Sequence, residues 1–232
     1  MIALLVTLLM GHLAESRRMA RRVRTLASLN SCAQIFHAYC NDWRDSWPAF
    51  ADPGPNPTTL RLGNNDTIDI PLYFLSCFLW PYALGDGYFE GNYDHPAMFP
   101  AESIRYVGGT DGSPFLYPCV YLADPGFWRS ETRVGSSQWR GTFRHEVFFP
   151  SNKSLLVTSF WSRSPEAVGV PNLNSPRLVV PVASADASAR AVPWKAFREG
   201  YFEGEGLEPG TAHPFDAFVA MHTVGGLRGR DY

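Results

Sequence analysis

Apolar residues recur along the first 40 positions in steps of three and four: Leu5, Leu9, Leu13, Ser16, Met19, Val23, Leu26, Leu29, Ala33, Phe36 and Cys40, with Ser16 the single polar member. That spacing describes one stripe on an α-helix. No proline interrupts the pattern before Pro48, so a helix is predicted from near Ile2 to about Ser46. At about 1.5 Å per residue it would be about 68 Å long, several times the globular average of about 11 to 12 residues. Arg17, Arg18, Arg21, Arg22 and Arg24, with Glu15, Asn30 and Gln34, fall largely off the stripe. A lone globular domain seldom uses such an element, so its first part is expected to serve something besides the core of this chain.

After Pro48 the pattern changes. "PAFADPGPNPTT" is dense in proline and marks a boundary, which divides the chain into a membrane or stalk helix over 1–46 and a β-rich head over 47–232, with the C-terminal half of the helix packing into the head. In "DIPLYFLSCFLWPYAL", Asp69 is a candidate N-cap and Pro71 a first-turn residue, predicting a short buried helix from Pro71 to about Trp80. Strands are read at Phe115–Leu122, Ser154–Trp161, Arg177–Ser184 and Ser188–Val192. The expected fold class is α+β: a long N-terminal helix packed against a small antiparallel sheet with irregular loops. In the hairpin turn at Asp186 and Ala187, a position that favours glycine holds alanine, which implies a different turn or a strain of about 1 kcal/mol.

Composition refines this picture. The 232 residues carry 19 Pro, 20 Gly and 33 aromatic side chains, which suits strands and turns better than a helical bundle. A formal charge of -2 argues against a nucleic-acid partner bound through a broad basic field. From Met1 to Met10 the run is apolar all round, but ten residues cannot cross a hydrocarbon core that needs about 20. A secretory signal fits poorly, because its basic residues precede the apolar run, whereas "ESRRMARRVR" follows it here. The remaining readings are a buried core helix, or an apolar segment that begins before Met1.

Candidate chemistry is sparse. His12, His37, His95, His145, His213 and His222 show no HxxxH, HExxH or HxH spacing. There is no GxSxG, Walker loop or GxGxxG. "YDHP" and "RHEV" are read as locally hydrogen-bonded loops, so no catalytic, cofactor-binding or metal-binding residue is assigned and no enzyme is expected. "DGYFEGNYD" (Asp86 to Asp94) and "GYFEGEGLEPG" (Gly200 to Gly210) carry carboxylates without the D-x-[DN]-x-[DN]-G order. They are read as ordinary acidic loops, with Ca²⁺ in an acidic loop the alternative. Cys32, Cys40, Cys77 and Cys119 form no CxxC pair. Cys32 and Cys40 would lie about 12 Å apart on a helix, too far to bridge. Most are read as small buried residues, with a disulfide such as Cys77 to Cys119 the alternative if the head is extracytoplasmic.

The N-terminal stretch resembles the first helix of bacterial type IV pilin-like proteins, specifically the pseudopilin-like proteins of planctomycete-type genomes. Their pattern "ARRxxCxSNLRQIGxAxxxYAxDxxxxxP" is matched at Ala20, Arg21, Arg22, Leu29, Tyr39, Asn41, Asp42 and Pro48. "VFFPSNKSLLV" is similar to the family's "VxFPSxKVLL", "VPVASADASARAVPW" to its "VPVxFADGSxxxxxW" hairpin, and the closing "TVGGLRGRDY" to "TxGGVRGRDW". The best landmark between is "YLADPGFW". Thr25 stands where the family has Cys, Gly11 where it has proline, and the processing motif "GFTLIE" does not precede the apolar run.

The resemblance implies a structural pseudopilin-like subunit, anchored in the inner membrane by its N-terminal helix, with a periplasmic or extracellular head, assembling into a type II secretion or type IV pilus-like filament. Its implied partners are homologous pilin-like subunits, the secretion or pilus machinery and the membrane. The assembly and membrane residues would be Leu5, Leu9, Leu13, Arg17, Arg18, Arg21 and Arg22, while Val23, Leu26, Ala33 and Phe36 would pack under the sheet. The alternative is an extracytoplasmic pilin-fold module that binds a glycan or protein without polymerising.

Overall fold

The structure, a computed structural model, describes residues 2–53, 57–70, 73–101, 113–158, 179–198, 200 and 220–232. It is α+β. Helix α1 spans Ile2–Asp42 and is followed by the hairpin β1 (Thr58–Arg61) and β2 (Thr67–Ile70), helix α2 (Trp80–Tyr88), and strands β3 (Phe115–Leu116), β4 (Ser154–Thr158), β5 (Val179–Ser184) and β6 (Ala189–Pro193). Strands β3 to β6 form one antiparallel sheet in the order β3-β4-β5-β6, and β1-β2 stands apart as a second, two-stranded one.

Helix α1 enters the head through Leu29, Cys32, Ala33, Phe36 and Cys40, all fully buried. Phe36 packs edge-on against Trp80 at 5.3 Å and tilted against Tyr117 at 4.9 Å. The indole N–H of Trp80 donates to Phe115 O at 2.8 Å, tying α2 to β3. Just past the helix, Trp47 meets Tyr121 at 5.1 Å, and Tyr73 stacks on Trp139 at 5.2 Å. These large flat side chains fill the core where a small sheet offers little aliphatic surface.

The sheet separates two apolar clusters. Val157, Val180, Val182 and Val192 face Ala220, Trp194, Phe197 and Tyr232 on one side, while Leu155, Leu156 and Ala183 face α1 on the other. Strict alternation would send Leu155 and Leu156 to opposite faces. The register shift between Ser154 and Leu156 against β5 lets both join the larger core.

Several predicted elements move. Asp69 lies in β2, where its carboxylate accepts from Thr59 Oγ1 at 2.8 Å, so it is not an N-cap. The segment that follows it forms a 3₁₀ turn over Tyr73–Cys77, and the α-helix starts only at Trp80, with Pro81 in its first turn. The expected strand Phe115–Leu122 stops at Leu116: Pro118 precedes a 3₁₀ turn over Cys119–Tyr121 and has no N–H to continue a ladder. Strand β4 is described to Thr158, and the predicted remainder to Trp161 lies outside the described residues, as does the first part of Arg177–Ser184.

Candidate assembly interface

The apolar stripe read along α1 does not stay on one face. Its mean step of 3.5 residues drifts against the 3.6-residue helix by about 20° per heptad. At about 100° per residue, the two successive three-residue steps Val23–Leu26–Leu29 each add about 60°, so Val23 ends roughly 120° from the centre of the face defined by Leu29, Cys32, Ala33, Phe36 and Cys40. Val23 is accordingly 63% exposed, which corrects the expectation that it packs under the sheet. Leu26 is half-buried against the core. The innermost position at this level is instead Thr25, buried, with its Oγ1 accepting from Ala101 N–H at 3.1 Å. Periodicity over apolar residues passes over Thr25 because it is polar.

Before Thr25 the helix leaves the head. Met10, Leu13, Met19 and Val23 are 66%, 47%, 54% and 63% exposed. Arg17, Arg18, Arg21 and Arg24 are exposed and Arg22 is half-buried. Leu5 and Leu9 lie on the α1 backbone, and their side chains are outside the described set. Arg18 pairs with Glu15 at 2.9 Å on the open helix surface, a contact that adds little to stability. Among the described residues, no helix is long and apolar enough to cross a membrane. The segment therefore presents separated apolar side chains within a basic field: five arginines against one glutamate in the first 24 residues.

The other end of α1 is held rigidly. Asn30 Nδ2 donates to Ala187 O at 2.8 Å and His37 Nε2 to Ala185 O at 2.9 Å, so two polar side chains clasp the β5–β6 turn. Arg144 donates to Asp45 Oδ1 from Nε at 2.9 Å and reaches His37 Nδ1 at 3.3 Å. Burial lowers the His37 pKa; the bond to Ala185 opposes this and the Arg144 charge adds to it. Arg44 and Asp45, with φ of 54° and 63°, turn the chain out of the helix.

The motifs that carried the resemblance meet in space. Lys153 of "VFFPSNKSLLV" and Asp231 of "TVGGLRGRDY" form a fully buried ion pair at 2.8 Å. Asp231 also accepts from Ser154 N–H at 2.6 Å and from the Thr223 hydroxyl. In "YLADPGFW", Asp124 accepts from Gly126 N–H at 2.8 Å and pairs with Arg140 at 2.9 Å, and Arg140 also holds Glu146 at 2.6 Å. Burial alone would push the Asp124 carboxyl up, but the Gly126 N–H and the Arg140 guanidinium hold it below its ordinary value. These contacts fasten loops to the head.

The loops considered for chemistry are likewise tied down. Asp86 accepts from Gly63 N–H at 2.7 Å and from the Tyr93 hydroxyl. His95 Nδ1 accepts from Ala97 N–H at 3.2 Å, capping the turn Pro96–Met98. Among the described residues, no three His, Cys, Asp or Glu side chains gather as a metal site. His213 and the loop from 201 to 210 lie outside the described residues. Comparison of the chain with protein-family models, with curated proteins and with solved structures returns no match in any of the three.

Proposed function

We propose that this chain is a structural, non-catalytic pseudopilin-like subunit that is held at the inner membrane by its N-terminal helix and assembles through it into a type II secretion or type IV pilus-like filament. The observation that carries the reading is the division of α1. From Thr25 onward one face of the helix is buried in the core, and before it Met10, Leu13, Met19 and Val23 stand exposed among arginines. Isolated helices are marginal in water, and their stability comes mostly from packing. A rigidly rooted helix with an apolar but uncovered outer half is suited to packing against other helices of its kind. The arginines suit a negatively charged lipid surface, at about 1 kcal/mol for each charge near it. The sequence resemblance to pilin-like proteins is what supports the filament and a periplasmic or outer head in this reading.

Photo-cross-linking tests the reading. A photoreactive residue replaces Leu13 or Val23 in the full-length protein expressed in its own cells, with a control at exposed Glu131. Cross-linked ladders to further copies or to related pilin-like subunits, in the membrane fraction and from the helix positions only, are expected. A protein that stays uncross-linked and in the soluble fraction would overturn the assignment.

A further inference from the structure

Two of the four cysteines are brought together by a local arrangement that no other pair shares. The 3₁₀ turn Cys119–Tyr121 meets the 3₁₀ turn Tyr73–Cys77 through its first residue. Tyr117 N–H donates to Cys77 O at 3.2 Å, and Cys119 Sγ lies 3.9 Å from Phe74 O. Phe74 sits one 3₁₀ turn before Cys77, so the Cys119 sulfur reaches the end of the turn that carries Cys77. Both side chains are fully buried in one apolar cluster, and the Cys119 side chain is a hydrogen-bonding neighbour of the Cys77 thiol. Cys32 and Cys40 are also buried, but eight residues of helix hold them about 12 Å apart along its axis. Cys32 donates instead to Ala97 O at 3.1 Å.

We propose that Cys77 and Cys119 are a disulfide-forming pair, closed when the chain folds in contact with a disulfide donor. The donor is a protein or low-molecular-weight disulfide. One cysteine thiolate attacks it, giving a mixed disulfide and releasing one donor thiol. The second cysteine then attacks the protein sulfur of that mixed disulfide and releases the other donor thiol. Two S–H bonds are lost and one S–S bond forms, and the two electrons and two protons end on the donor. Burial pushes the Cys77 thiol up, which starves the folded protein of the nucleophilic thiolate. Exchange therefore belongs to the stage before the core closes. The bond would clamp the segment before α2 to the segment after β3, across a stretch of chain that includes residues 102–112. The inference stands on the core of the head and is independent of the assembly reading.

The test uses the full chain, unfolded and reduced, then refolded either in a mixture of reduced and oxidised glutathione or in reductant alone. Alkylation under denaturing conditions and peptide mapping follow. After refolding with glutathione, Cys32 and Cys40 are expected to be alkylated and a Cys77–Cys119 peptide to be recovered, with a higher thermal midpoint than the reductant-refolded protein. Already folded, reduced protein placed in the same mixture should cross-link at least about tenfold more slowly. Four alkylated thiols after glutathione refolding, or a cross-link that includes Cys32 or Cys40, would refute the pairing. The double variant Cys77→Ala, Cys119→Ala should show the same midpoint in both buffers, and a redox-dependent midpoint in it would count against the pair. None of these readouts uses Leu13 or Val23, so a failure here leaves the assembly reading standing.

Discussion

The Lys153 ammonium and the Asp231 carboxylate meet at 2.8 Å with both side chains fully buried, 78 residues apart in the chain. Desolvation lowers the Lys153 pKa, while the Asp231 charge and hydrogen bond pull it back up. Removing one partner of such a pair leaves the other charge buried and uncompensated, at a cost of about 3–5 kcal/mol. Lys153→Met and Asp231→Asn are each expected to lower stability by that order, read from urea unfolding midpoints. Replacing both residues with apolar ones should not restore it, because Ser154 N–H and the Thr223 hydroxyl would still lack the acceptor that Asp231 provides.

His37 makes the head sensitive to mild acid. Its pKa is lowered in the folded state, from an ordinary value near 6.5. Between the folded and unfolded values the unfolded chain binds more protons, so its contribution to stability is present above about pH 6.5 and is lost as pH falls below it. Arg144, Asp45 and Asp186 are the charged groups around this site. His37→Gln keeps an amide donor for Ala185 O and does not titrate. Thermal midpoints of the two proteins from pH 7.5 to 5 should diverge as the wild type loses stability more steeply. Parallel curves would remove His37 from the account.

Ala187 has φ of 64°, so the strain considered from the sequence is present in the turn. Ala187 N–H donates to Ser184 O at 2.9 Å and Ser188 N–H to Asp186 Oδ1 at 3.0 Å. A left-handed conformation costs a residue with Cβ roughly 1–2 kcal/mol. Glycine avoids that cost and loses part of the gain to its greater freedom when unfolded. Ala187→Gly should leave the melting temperature unchanged or raise it, and a clear fall would mean that side-chain contacts of Ala187 outweigh the backbone.

Gly226 shows the opposite case. Its φ is 56°, and a Cβ there would fall 2.6 Å from Trp128 Cδ1 and 3.1 Å from Pro125 Cα. Gly226→Ala should therefore destabilise by more than about 1 kcal/mol, measurable by chemical unfolding, because steric overlap adds to the backbone term.

Leu13→Glu and Val23→Asp separate the two halves of α1. Both side chains are largely exposed, so head stability should change by less than about 0.5 kcal/mol. Cross-linked ladders and membrane association should fall in cells if the outer helix is an assembly surface. Unaltered assembly with both substitutions combined would show that this face is not the contact.

By itself the sequence determined what depends on near neighbours. The three-and-four spacing marked α1 to within a few residues of Asp42. The apolar runs marked the strands near Ser154, Arg177 and Ser188, and alanine at 187 marked a strained turn. These features follow from steric rules and repeat periods that act over a few residues. Only the tertiary structure decided which part of the stripe was core. The head covers one fixed angular sector of the helix, so two successive three-residue steps of about 60° each carry Val23 out of it, while Thr25 falls inside. Pairings between distant segments were equally illegible. Lys153 and Asp231 each stood in a recognised motif, yet their contact depends on the whole path of the chain between them. Cys77 and Cys119 stood as one alternative from the sequence, and they are neighbours because 3₁₀ turns stand where a helix and a strand were expected, bringing Cys119 Sγ to Phe74 O and Tyr117 N–H to Cys77 O.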